Sequence, residues 1–237
     1  MFFATVGGVD LAAGFEQANQ GGGIFSDTGT VDMHSCDVLS NNATLGGGGG
    51  VYSTKGALTV RNGYFADNTA VQGAALFVSR GDATVVDSLF ERNSVAGRAS
   101  GGALYVSDST LTVQGCVFRS NEARGDSQTL GIGGAVYVAR GIASIVMSSF
   151  FDNLAGISIE EAYARDNSLI YNADITSAPV LDQLGGALYT AGGDITIQGC
   201  MFGTNAAVLS AYGLTSEQQL AIDLEVAMAS SSVAMLE

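Results

Sequence analysis

The chain has 237 residues, 33 of them glycine and one proline, and its formal charge is −14 with only 14% charged residues. The glycines lack a strict triplet period, which excludes collagen, and an apolar content of 47% excludes a disordered chain. So acidic a sum repels phosphate backbones and anionic lipid surfaces, which excludes nucleic acid as a partner, and no apolar run is long enough for a membrane-spanning helix.

Residues 1–20 start without a basic segment ahead of an apolar one, so no secretory signal is read there. Val9, Asp10 and Leu11 alternate, and Phe15 stands near Asn19. This faint version of the pattern that follows reads as a degenerate N-terminal coil or cap, because terminal repeats lack a neighbour on one side.

From Gly21 a unit recurs six times, starting at Gly21, Gly48, Gly73, Gly101, Gly133 and Gly185; the clearest copy is GGALYVSDSTLTVQGCVFRSNEA. Each unit is too small to bury its own apolar face, so the pattern is that of a solenoid. One inner column is Ile24, Val51, Leu76, Leu104, Val136 and Leu188, and a second is Met33, Val60, Val85, Val113, Ile145 and Ile197. Polar Asp32, Thr59, Thr84, Thr112, Ser144 and Thr196 precede that second column, and another apolar column stands before them. Alternation at period two means strand.

A tight turn is expected at Ser35, Asn62, Asp87, Gly115, Met147 and Gly199, since Gly, Asn and Asp tolerate positive φ. Met147 does not fit, so the fifth coil is expected to turn differently. A third apolar column follows: Val38, Phe65, Phe90, Phe118, Phe150 and Phe202. Three residues later every copy has an asparagine: Asn41, Asn68, Asn93, Asn121, Asn153 and Asn205. Stacked amides can donate to one neighbour and accept from the other, so these are expected to form a buried structural ladder.

Three short strands, two fixed turns and one variable loop per unit describe an all-β fold, a parallel β-helix of about six to seven three-strand coils. The crossover rule makes it right-handed. Successive Leu104-type positions lie 27, 25, 28, 32 and 52 residues apart, and all the variation falls after the asparagine. The β-helix domain is therefore 21–210, with an insert at 156–184 that is either a protruding loop or a decayed seventh coil. Few apolar positions there keep register, which favours the loop. Over 211–237 the period changes: Thr215 and Ser216 can cap a helix whose Leu220, Leu224, Ala227 and Met228 share a face. That helix would cover the open end of the last coil.

The pairing of Gly101-Gly102-Ala103-Leu104 with Phe118 to Asn121 recurs at Gly133 to Asn153 and Gly185 to Asn205. This GGA[ILV] and FxxN pattern resembles the repeats of chlamydial polymorphic outer-membrane proteins over residues 21–207. Copies one to three depart at Gly23, Val38, Gly50 and Ala74. The resemblance implies a right-handed β-helical passenger at a cell surface or in the extracellular space, acting in adhesion.

Right-handed β-helices also serve as polysaccharide lyases and hydrolases, whose sites need carboxylates converging on adjacent coils. No column here holds three carboxylates. Asp67 above Arg92 and Glu91 above Arg119 read as exposed ion pairs, and Lys55, Arg80, Asp108 and Arg140 form a column of mixed sign. Asp32, His34 and Arg61 are the best catalytic candidate, and a histidine on a solvated strand is commonly a bystander. Cys36, Cys116 and Cys200 share a column with Gly63, Ser88 and Ser148, so they are expected to be small inner residues, too far apart for a disulfide. No metal or cofactor site is expected. Gly46 to Gly50 has no lysine or helix to make it a phosphate loop, and Asn42-Ala43-Thr44 is a lone glycosylation sequon.

One outer column is aromatic throughout: Phe25, Tyr52, Phe77, Tyr105, Tyr137 and Tyr189. It reads either as a self-stacking spine or as a docking stripe for sugar rings or a protein. The expected function is a non-enzymatic surface, adhesion or scaffold module making protein or glycan contacts through an outer face. The alternatives are a carbohydrate-active enzyme or carbohydrate-binding module on the same fold, and a peripheral subunit of a large assembly.

Overall fold

A computed structural model describes residues 3–7, 20–125, 131–157 and 185–209. They form an all-β solenoid in which each of the six copies adds one parallel strand to every sheet. Among the described residues no helix is long and apolar enough to cross a membrane.

Each coil has four strands and not three. In the fourth copy these are Leu104–Ser107, Ser109–Gln114, Val117–Arg119 and Glu122–Gly125. The first three are the expected strands, and like residues stack on like: Leu104 beside Leu76 and Val136, Phe118 beside Phe90 and Phe150. The fourth lies where the variable loop was expected. Its cause is a small apolar column two residues after each asparagine: Ala43, Ala70, Val95, Ala123, Ala155 and Ala207, the first five buried. Differences in copy length are absorbed there, as register shifts between Ala43 and Gly47 and between Val95 and Ser100.

The corners repeat as strictly as the strands. Ser35, Asn62, Asp87, Gly115, Met147 and Gly199 all take φ between 47° and 63°. A second such column precedes the asparagines: Ser40, Asp67, Arg92, Ser120, Asp152 and Thr204, with φ of 52–57°. Left-handed residues turn each strand sharply enough to start the next while their N–H groups still bond the following coil, as Met147 does to Gln198 O at 2.8 Å. The fifth coil therefore turns like the others, against expectation. A methionine held left-handed and 59% exposed carries strain without burial in return. Met147→Asn, which copies Asn62, is expected to raise stability by about 1 kcal/mol, read as a higher denaturant midpoint at unchanged slope.

Glycine is needed where coils cross closest. A Cβ on Gly102 would stand 2.0 Å from the Gly134 carbonyl oxygen, and one on Gly134 would stand 2.0 Å from that of Gly186. Ala74 occupies the equivalent position in the third coil. Its methyl enters a small cluster with Ala43, Ala70, Val95, Ala99 and Ala123.

At the first coil, Phe3–Gly7 pairs antiparallel with Gly29–His34. That strand is an edge cover and not a further parallel coil. The insert also begins later than expected, because Gly156 and Ile157 belong to the fourth-sheet strand and stand opposite Val208 and Leu209. The rest of the insert, residues 8–19 and the helix expected over 211–237 lie outside the described residues.

Candidate functional site

The asparagine column forms the ladder. Asn121 Nδ2 donates to Asn153 Oδ1 at 3.0 Å and to Phe90 O at 2.9 Å. Its Oδ1 accepts from Asn93 N at 3.1 Å and Asn93 Nδ2 at 3.0 Å. Asn68, Asn93, Asn121 and Asn153 are wholly buried with this pattern, and Asn41 and Asn205 end it. These side chains are saturated by one another, so they hold the rod together and have nothing left to offer a ligand.

The aromatic stripe also stacks on itself. Centroids from Phe25 through Tyr52, Phe77, Tyr105 and Tyr137 to Tyr189 are 5.2, 4.7, 4.8, 5.2 and 5.4 Å apart, with planes within 15° of parallel. Gly47 lets the Phe77 ring lie across the neighbouring strand, since a Cβ there would stand 2.4 Å from that ring. The ring faces therefore cover one another and solvent meets their edges. A sugar needs a free face to stack on, and along the stripe each interior ring has given up both. Burial raises the phenol pKa of Tyr52, Tyr105 and Tyr137, so these hydroxyls stay neutral.

Beside the stripe runs the column of mixed sign. Lys55 Nζ lies 2.9 Å from Asp27, and Arg140 grips Asp108 through Nε at 2.6 Å and Nη2 at 2.9 Å. Hydrogen bonds from Arg140 and then Ser107 hold the Asp108 carboxyl down at about 2. A depressed carboxylate contributes stability above its unfolded value and loses that contribution as pH falls through the folded one. Asp108 is therefore expected to titrate near pH 2 by NMR, and Arg140→Ala should raise it only part of the way to the ordinary carboxylate range, because the Ser107 bond remains.

His34 and Asp32 do meet, with Nε2 3.0 Å from Oδ1 and both side chains 46% exposed. Arg61 is the in-register neighbour of His34. A cavity of about 460 Å³ opens at the first coil, lined by Gly23, Ile24, Met33, Cys36, Asp37, Val38 and Asn41. Neither Asp32 nor His34 faces it, so the pair and the cavity do not combine. Glu91 accepts from Tyr64 Oη at 3.0 Å, lies 2.6 Å from Arg92 and 3.8 Å from Arg119, and Asp67 is gripped by Arg92 at 2.9 and 3.0 Å. The Tyr64 bond lowers the Glu91 pKa and the Arg92 bond lowers that of Asp67. General acids need the opposite shift. Among the described residues no three His, Cys, Asp or Glu groups converge to hold a metal.

The cysteine column does more than fill space. Ser88 Oγ donates to Val86 O at 2.8 Å across the left-handed turn and accepts from Gly63 N at 3.0 Å. Cys116 Sγ makes the same bond to Gln114 O at 3.3 Å, and Cys200 Sγ makes it to Gln198 O at 3.5 Å. Only a short side chain with a donor can do this. Cys116→Ser is therefore expected to change stability by less than about 1 kcal/mol. The three cysteines form no disulfide, and burial pushes the Cys116 thiol up to about 11. Three thiols should titrate in the unfolded, unreduced chain, while Cys116 resists alkylation in the native one.

Sequence reasoning passed over the outer face of the third sheet. The described residues include seven large apolar side chains that are clearly exposed. Leu39, Val117 and Met201 lie on this face and Met147 in the turn leading into it, while Phe202 is exposed as the end of the inner ring stack. The signal was available: strands such as Leu89–Glu91 and Ser149–Phe151 read LFE and SFF, apolar at neighbouring positions where alternation would put a polar residue outside. Comparison with protein-family models, with curated proteins and with solved structures finds no match for this chain.

Proposed function

We propose that this chain is a non-enzymatic β-helical rod, a module of a surface, adhesive or scaffolding protein that works by presenting its faces. The observation that carries this reading is where the reactive groups go. Asparagines bond from coil to coil, thiols and inner hydroxyls bond within their own turns and to the neighbouring coil, and the outer carboxylates of Asp67, Glu91 and Asp108 are held ionised by arginine or tyrosine partners. A rod so built keeps its shape at low cost in charge, which suits display and not turnover. The resemblance to chlamydial polymorphic outer-membrane proteins extends the proposal to a cell-surface setting and an adhesive role. Self-covered ring faces favour protein over glycan as the partner. Beads coated with the protein are expected to adhere to cells or matrix proteins while releasing no sugar fragments from polysaccharides. Turnover that disappears in Asp32→Asn or His34→Ala would replace this reading with an enzyme.

A further inference from the structure

We propose that the outer face of the third sheet is a docking surface for a basic amphipathic helix of a partner protein, laid along the rod axis. The inference rests on the reading of the chain as a rod that presents its faces, and it names the partner's chemistry for one of them.

The face is apolar where it is most open. Asp37, Tyr64, Leu89, Val117, Ser149 and Met201 stand in register as its first outward column. Val117 is 36% exposed and Met201 59%, and Met147, also 59% exposed, flanks Ser149 from the turn. Half-buried Phe151 flanks it on the other side. Leu45 and Ile142, also exposed, lie on the fourth and second sheets, away from this face.

Charge says what kind of partner fits. Within the face Arg92 and Arg119 are matched by Asp67 and Glu91. Asp37, Asp87 and Asp152 are exposed along its margin, and among the described residues no cation pairs with them. Arg61, in the adjoining column of the second sheet, offsets only one of the three. A second copy would bring the same carboxylates and be repelled, as would an anionic lipid surface. A partner whose Lys and Arg rim an apolar stripe is complementary on both counts.

Shape narrows the partner further. Every strand of this sheet except those of the two end coils is bonded to a neighbour on each side, so an added strand finds no free backbone along it. Side chains must make the contact. From Tyr64 to Met201 the column takes four steps of about 4.8 Å, about 19 Å in all, which a helix of about 13 residues covers. One helical turn of about 5.4 Å falls close to each step, so apolar residues three and four apart meet successive coils. A contact of that length is small, so binding should be transient.

The probe is a fluorescein-labelled peptide of about 15 residues, leucine on one helical face and lysine elsewhere, read by anisotropy against the whole chain. It should bind reversibly and weaken as salt rises. It should also bind at least about tenfold more tightly than the same residues scrambled out of helical period, or than a leucine–glutamate version. Val117→Lys and Met201→Lys should each weaken it at least about tenfold with the melting temperature unchanged. Ile142→Lys, an equal charge change at a site 58% exposed on another sheet, should shift it less than about twofold. Binding that ignores both third-sheet variants, that falls equally with Ile142→Lys, or that either control peptide matches would overturn the proposal, as would no binding at low salt. None of these results touches the display reading, which fails separately if coated beads do not adhere.

Discussion

Asn121→Leu is expected to lower stability by about 2–6 kcal/mol, enough to unfold a domain of ordinary stability. The leucine removes the acceptor of the Asn93 backbone N–H at 3.1 Å and of Asn93 Nδ2 at 3.0 Å. It also removes the donor to Phe90 O at 2.9 Å and to Asn153 Oδ1 at 3.0 Å. All these partners sit in a wholly buried column, and two stranded N–H donors at about 1–3 kcal/mol each set the scale. The same change at Asn41 should cost less than about 1 kcal/mol. Asn41 is half-buried at the end of the ladder, and its Nδ2 donates to Asn68 Oδ1, which keeps a second donor in the Asn41 N–H. Equal losses at both positions in denaturant titrations would mean that the amides do not act as a ladder.

Phe118→Ala should cost about 3–5 kcal/mol. The ring is fully buried, with centroids 4.8 Å from Phe90 and 4.7 Å from Phe150 and planes within 7° of parallel. Its loss leaves a void that the coils cannot close, because their spacing is fixed by strand hydrogen bonds above and below. Each neighbour also loses one stacked face, adding to the cost. Phe202, at the end of the same stack and 36% exposed, should tolerate alanine with less than half that loss. Similar losses for the two would show that burial and stacking do not grade along the column.

Leu104, Val113, Phe118 and Asn121 could be assigned inward from the chain alone, because strand periodicity is local and six aligned copies make each column unambiguous. The neighbours of the ladder and the self-stacking of Phe25 to Tyr189 followed from the same logic, since in-register parallel strands put like on like about 4.8 Å apart. The fourth strand was overlooked for a different reason. Its inward residues are mostly alanine, which signals burial weakly, and its length differs between copies.

The sequence by itself therefore determined the repeat, the register and the inward face, all of which depend on positions two residues apart or one copy apart. Only the tertiary structure decided what the outer surface can do. Met147 adopts a left-handed turn against its own preference because the strands on both sides are pinned to neighbouring coils. The aromatic rings spend their faces on one another, while the third sheet is left with Leu39, Val117 and Met201 in solvent. Ring orientation and side-chain exposure depend on which corners bring distant copies into contact, and no local spacing records that.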